Sequence, residues 1–138
     1  MDGKAYLQAA RTALSDALAE IGDESVVPSH VGFRSETAKA WENTLADLKP
    51  LGTVYMTFKP DGREIPFVKL GAPLEVGGHV LEYLEVPAPK WGVVDEPSIL
   101  VVFTHPEREE KIVTEIYDIR LQAMHARDFI ARDKGRVN

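Results

Sequence analysis

The hydrophobic pattern of this chain changes period near Gly52, and that change limits what it can fold into. Before it, apolar residues recur every three or four positions. Leu7, Ala10, Leu14, Leu18 and Ile21 predict a helix over 3–21, capped by Asp2 and ended by Gly22. Trp41, Leu45 and Leu48 predict a second helix over 36–48, with Ser35 as N-cap and Pro50 as its stop. After Gly52 the runs become short and β-branched. "GTVYMTF" (52–58) and "EIPFVKL" (64–70) flank the turn sequence "KPDGR", which predicts a hairpin. "GAPLEVGG" reads as a loop, "HVLEYLEV" (79–86) as a strand closed by "PAPKWG", and "DEPS" as a turn. "ILVVFTH" is the most β-branched run and reads as a central strand. With a strand at 29–34 between the helices, an α+β fold is expected.

The last third returns to a helical spacing. Ile112, Ile116, Ile119, Ala123, Ala126 and Ile130 predict one long helix over 107–131, followed by a frayed "DKGRVN" tail. The element order is then α-β-α-β-β-β-β-α. At 138 residues the chain is read as a single domain: helix and connector over 1–27, a βαβββ unit over 28–87, and a strand plus long helix over 98–131.

Charge and composition remove several function classes. A net charge of -6 opposes binding to phosphate backbones, so no nucleic-acid partner is expected. The absence of cysteine excludes disulfides, zinc-thiolate sites and thiol nucleophiles, and fits a cytoplasmic protein. No apolar run approaches the roughly 18 residues of a membrane span, and the N-terminus lacks a signal-peptide core. There is no GxSxG elbow, Walker-type phosphate loop or GxGxxG.

The segment "PSHVGFRSE" places the chemistry. In a strand, His30, Gly32 and Arg34 share one face and Val31 and Phe33 the other. In the strand 79–86, His79, Leu81, Tyr83 and Glu85 share a face. If the two polar faces meet on a curved sheet, they bring imidazole, carboxylate, phenol and guanidinium into one concavity. Imidazole and carboxylate suit divalent zinc, iron, manganese or nickel, whereas Arg34 suits a substrate carboxylate. Lys69 would add positive charge. Equally, His30 could be a hydrogen-bonded structural histidine, Arg34 and Glu85 a simple ion pair, and His79 an exposed strand-start residue. His105 and His125 have no evident partner.

"SHVGFRS", "AKAWENTLADL", "GREIPFVKL" and "LEYLEVPAPK", in that order over about residues 28–105, resemble the YecM-like bacterial proteins of the vicinal-oxygen-chelate superfamily. The His-x-x-x-Arg pair is also similar to the motif of 2-oxoadipate dioxygenase/decarboxylase proteins. The resemblance implies a βαβββ half-barrel with its polar face inside. It implies His30 and Glu85 as metal ligands; for the missing ligand, His79 could serve locally or a second subunit could supply one. Glu85 would be ligand or base, and Arg34, Tyr83 and Lys69 would contact the substrate. Ser98 stands where the family has a second histidine, and the second βαβββ unit is incomplete. The implied function is a small-molecule-binding protein for an anionic ligand, or a metal-dependent lyase, isomerase or dioxygenase. The alternative is a non-catalytic interaction module whose long helix binds a partner. A homodimer is expected, because an apolar edge at "ILVVFTH" and a wide isoleucine stripe would both need cover.

Overall fold

A computed structural model describes residues 2–89 and 98–133. Helix α1 spans Gly3–Ile21; the Asp2 side chain accepts from the Ala5 N–H at its start. Gly22 ends it at φ 61°, a left-handed conformation that glycine adopts without strain. Strand β1 (Val27–Arg34) leads to α2 (Ala38–Leu48), capped by Thr37 rather than Ser35. The hairpin strands are β2 (Gly52–Phe58) and β3 (Glu64–Val76), so part of "GAPLEVGG" continues β3 instead of forming a loop. Then come β4 (His79–Glu85) and β5 (Ser98–Thr104).

The long C-terminal helix is corrected. Residues 107–131 instead contribute β6 (Glu110–Val113), β7 (Tyr117–Gln122) and the short helix α3 (Ala126–Asp133), which runs past that range. Ile112 and Ile119 face each other as a cross-strand pair, and Thr114 closes the turn by accepting from the Tyr117 N–H through its side chain. The isoleucine spacing matched a helix. Yet "YDIRLQ" also alternates polar and apolar, and pairing beside β5 decided in favour of the strand. The turns around "PAPKWG" and "DEPS" lie largely outside the described residues, as does most of the tail.

The seven strands form one mixed sheet in the order β2-β3-β4-β1-β5-β7-β6. The first half is the expected βαβββ arrangement: β1 runs parallel to β4, and β4-β3-β2 continue antiparallel. β5 is central, paired to β1 on one side and β7 on the other. It needs no second subunit to cover its edge. The isoleucine stripe offered as the other reason for a dimer, and as a partner-binding helix, does not exist as a helix.

Strand parity separates the two faces. Val31 and Phe33 of β1, Val101 and Phe103 of β5, and Ile119 and Leu121 of β7 pack with Leu14, Ala10 and Leu48 of the helices. The Tyr6 ring meets the Phe33 ring edge-on at 5.1 Å. The other face carries a small cluster of Ile65, Phe67 and Tyr83 under Ala126 and Ile130 of α3. α3 is fastened at its far end by Asp133, whose carboxylate accepts from the Phe58 N–H at 2.9 Å. Beside α3 the face is open and polar.

His105 and His125 both have partners. His105 Nδ1 accepts from the Glu107 and Arg108 N–H groups, and its Nε2 lies 3.2 Å from Asp23 Oδ2. Arg108 reaches the same Asp23 oxygen at 2.7 Å, fastening the β5–β6 loop to the start of the connector after α1.

Candidate functional site

β1 and β4 are neighbours, and Gly32 pairs with Glu85. That register brings His30 Nε2 to 3.0 Å from Glu85 Oε2. His30 is almost fully buried, with its ring edge-on to Phe67 at 5.0 Å. Behind it, Nδ1 lies 2.8 Å from Ser29 Oγ, which also accepts from the Ala126 N–H at 2.8 Å. Ser29 therefore ties the imidazole to the first residue of α3 and fixes its orientation. Glycine at position 32 also has a reason. A Cβ there would lie 3.3 Å from Glu85 Oε1 and 3.4 Å from Leu100 Cβ, so a larger residue would crowd the carboxylate.

Arg34 does not pair with Glu85. Its Nη1 lies 2.9 Å from Asp118 Oδ2, and Arg120 shares that oxygen at 3.3 Å. Arg34 also donates to Ser98 Oγ at 3.4 Å. Burial pushes the Glu85 carboxyl pKa up, but His30, Lys59 and Arg34 outweigh it, so the net shift is downward. Asp118 follows the same pattern: burial raises its pKa, and the two arginines bring it below the usual value.

These groups line a cavity of about 450 Å³ between the open sheet face and α3. Its apolar wall is Ile65, Leu100, Val102 and Phe129. Its charged lining is Arg34, Lys59, Arg63 and Arg120 against Glu85 and Asp118, an excess of two positive charges in a chain of net charge -6. Arg63 Nε, Arg120 Nε and Asp118 Oδ1 are buried without a hydrogen-bond partner among the described residues. Buried polar atoms are ordinarily paired with protein or ordered water, and these three all belong to residues that line this one cavity.

Three expected site residues are not brought here. His79 begins β4, six residues from Glu85, which at roughly 3.3 Å per residue puts it about 20 Å away. It cannot complete a ligand set with His30. Tyr83 shares the face of Glu85 but is buried under α3, edge-on to His125 at 5.8 Å, and does not line the cavity. Lys69 pairs with Tyr83 farther along the sheet, exposed and outside the cavity lining. The lysine that does line it is Lys59.

Lys59 and Arg63, missed in the sequence, begin and end the "KPDGR" turn, where the Lys59 N–H donates to the Arg63 carbonyl at 3.0 Å. Asp118 and Arg120 were missed because "YDIRLQ" was read as helix; its alternation puts both on one strand face.

The two halves of the sheet also obey one pattern. Val31 pairs with Val101 across the centre, Gly32 with Glu85 in the first half, and Val102 with Arg120 in the second. A local two-fold axis through the Val31–Val101 pair therefore relates His30 to Leu100 and Glu85 to Arg120. The second half repeats the strand geometry, but with an apolar side chain at the position of the imidazole and a cation at that of the acid. Among the described residues, no group of three or more His, Cys, Asp or Glu side chains is placed to hold a metal. Two donors ringed by guanidinium and ammonium groups are a poor fit for a zinc, iron, manganese or nickel dication.

No family model and no curated protein matches the chain. A solved structure titled "Structural Genomics, Protein EC4020" superposes with a TM-score of 0.70, covering 95% of this chain and 91% of that one at 13% identity. At that identity the likeness establishes the α+β fold alone. No described helix is long and apolar enough to cross a membrane.

Proposed function

We propose that this protein binds a small organic anion in the His30–Glu85–Arg34 cavity. The observation that carries this reading is the lining charge, four cations against two carboxylates, within an acidic chain. A ligand carboxylate would displace part of the hold that Asp118 has on Arg34 and Arg120, taking charge-assisted hydrogen bonds from both. A hydroxyl on such a ligand would donate to Glu85, which stays ionised beside His30. Imidazole and carboxylate 3.0 Å apart can also pass a proton, so the pair suits acid–base chemistry on that hydroxyl or on a neighbouring carbon.

The βαβββ order, with β1 parallel to β4, supports placing the chain with the vicinal-oxygen-chelate proteins. The reading departs from theirs in chemistry, since Arg120 here supplies a fixed positive charge. Calorimetric titration with lactate tests the binding. Saturable binding that weakens about tenfold in Arg34→Lys is expected, because lysine keeps the charge but loses the planar fork. An absence of saturable heat, or equal affinity in both proteins, would overturn the reading.

A further inference from the structure

The cations of the cavity fall into two groups on opposite sides of the His30–Glu85 pair. Arg34 of β1 and Arg120 of β7 share Asp118, so two positive charges are offset by one negative charge. Lys59 and Arg63 flank the β2–β3 turn, and neither has an ion-pair partner among the described residues. In sheet order β4 and its Glu85 stand between them, with β3 on one side and β1, β5 and β7 on the other. The cavity lining also includes the apolar side chains of Ile65, Leu100, Val102 and Phe129.

Arg63 carries a buried Nε with no hydrogen-bond partner among the described residues, and a buried donor of that kind is costly unless a ligand compensates it. One anionic group can engage Arg34 and Arg120 and still leave Lys59 and Arg63 unmatched. We infer that the ligand is a small dianion with two separated anionic groups joined by a short apolar link, one held by Arg34 and Arg120 and the other by Lys59 and Arg63. The excess of two positive charges equals the charge of such a ligand.

This rests on the anion-binding reading above and is tested so that the two can fail separately. Malonate, succinate, glutarate, adipate and pimelate are titrated calorimetrically, beside lactate and the monoacids of matching length. Phosphoglycolate is included to learn whether the second group can be a phosphate. The expected result is one dianion, from the diacid series or phosphoglycolate, binding at least tenfold more tightly than any monoanion. In the double variant Lys59→Gln/Arg63→Gln that advantage should vanish, the best dianion weakening at least fivefold more than lactate. Lys59 is exposed and Arg63 half-buried, and the hydrogen bond that closes their turn is backbone to backbone, so the variant keeps its fold, as an unchanged melting temperature would verify. If lactate binds but no dianion exceeds the monoanions tenfold, the two-ended inference is wrong and the anion-binding reading stands. If the double variant weakens lactate and dianions alike, the division into two cation groups is wrong. If nothing binds, both fall.

Discussion

His30 Nε2 lies 3.0 Å from Glu85 Oε2 across the parallel pairing of β1 with β4, and Gly32 supplies the space that Glu85 occupies. Gly32 has no positive φ, so its backbone does not itself demand glycine. Gly32→Ala should therefore leave folding stability within about 1 kcal/mol of the parent. It should nevertheless lower lactate affinity at least fivefold by displacing the carboxylate. Thermal unfolding and calorimetry on one preparation read both effects. A large loss of stability without a binding defect would mean that Gly32 serves packing instead.

The pH dependence of stability follows from Glu85. Its folded pKa lies below the ordinary carboxyl value of 4.5, so its contribution is present above about that pH and is lost as pH falls through the folded value. Urea unfolding of the parent should weaken between roughly pH 5 and 3. Glu85→Gln should be less stable at pH 7 and fall less steeply over that window. Parallel curves for the two proteins would contradict the paired carboxylate.

A second titration acts at α3. His125 Nε2 donates to the Pro28 carbonyl at 3.2 Å, and Nδ1 accepts from the Arg127 N–H at 3.1 Å, which together require the neutral ring. Burial, then Arg127, lower its pKa from 6.5. The unfolded chain thus takes up the proton first, and the hold on α3 should weaken as pH drops below about 6.5. Hydrogen exchange at the Arg127 amide should accelerate beyond the intrinsic pH effect between pH 6.5 and 5, and His125→Asn should abolish that excess. An unchanged protection factor would contradict it.

Ile119 and Ile116 distinguish the β6–β7 hairpin from a continuous helix. Ile119 is fully buried in the sheet core, whereas Ile116 is 67% exposed. Ile119→Ala should cost about 2–5 kcal/mol and Ile116→Ala less than about 0.5 kcal/mol. A shared helical stripe would make the two costs comparable, and denaturant unfolding measures them directly.

Much of the fold was legible in local pattern. The helices at 3–21 and 36–48, the hairpin around "KPDGR" and the strand at 79–86 rest on caps, turns and period, which act over a few residues. The isoleucines of the last third satisfied two periods at once. Only β5, a neighbour in space, selected the strand by pairing with Tyr117–Gln122. The same misreading hid Asp118 and Arg120, so the expected partner of Arg34 was Glu85. His30, Glu85 and Arg34 could be found because parity alone set their face. His79 failed because shared parity does not bring residues together: it starts β4 six residues before Glu85, and strand rise alone carries it about 20 Å away.

The most direct measurement is of the arginine side chains themselves. Arg63 Nε and Arg120 Nε are buried donors without partners among the described residues, and both line the cavity. Nitrogen–proton NMR spectra of the arginine Nε–H groups, recorded while glutarate is added, report on them individually. Saturable shifts at Arg63 and Arg120 with one shared dissociation constant, and none at exposed Arg11 or Arg127, are the predicted result. Uniform small shifts across all arginines, tracking ionic strength alone, would contradict an anion-binding cavity.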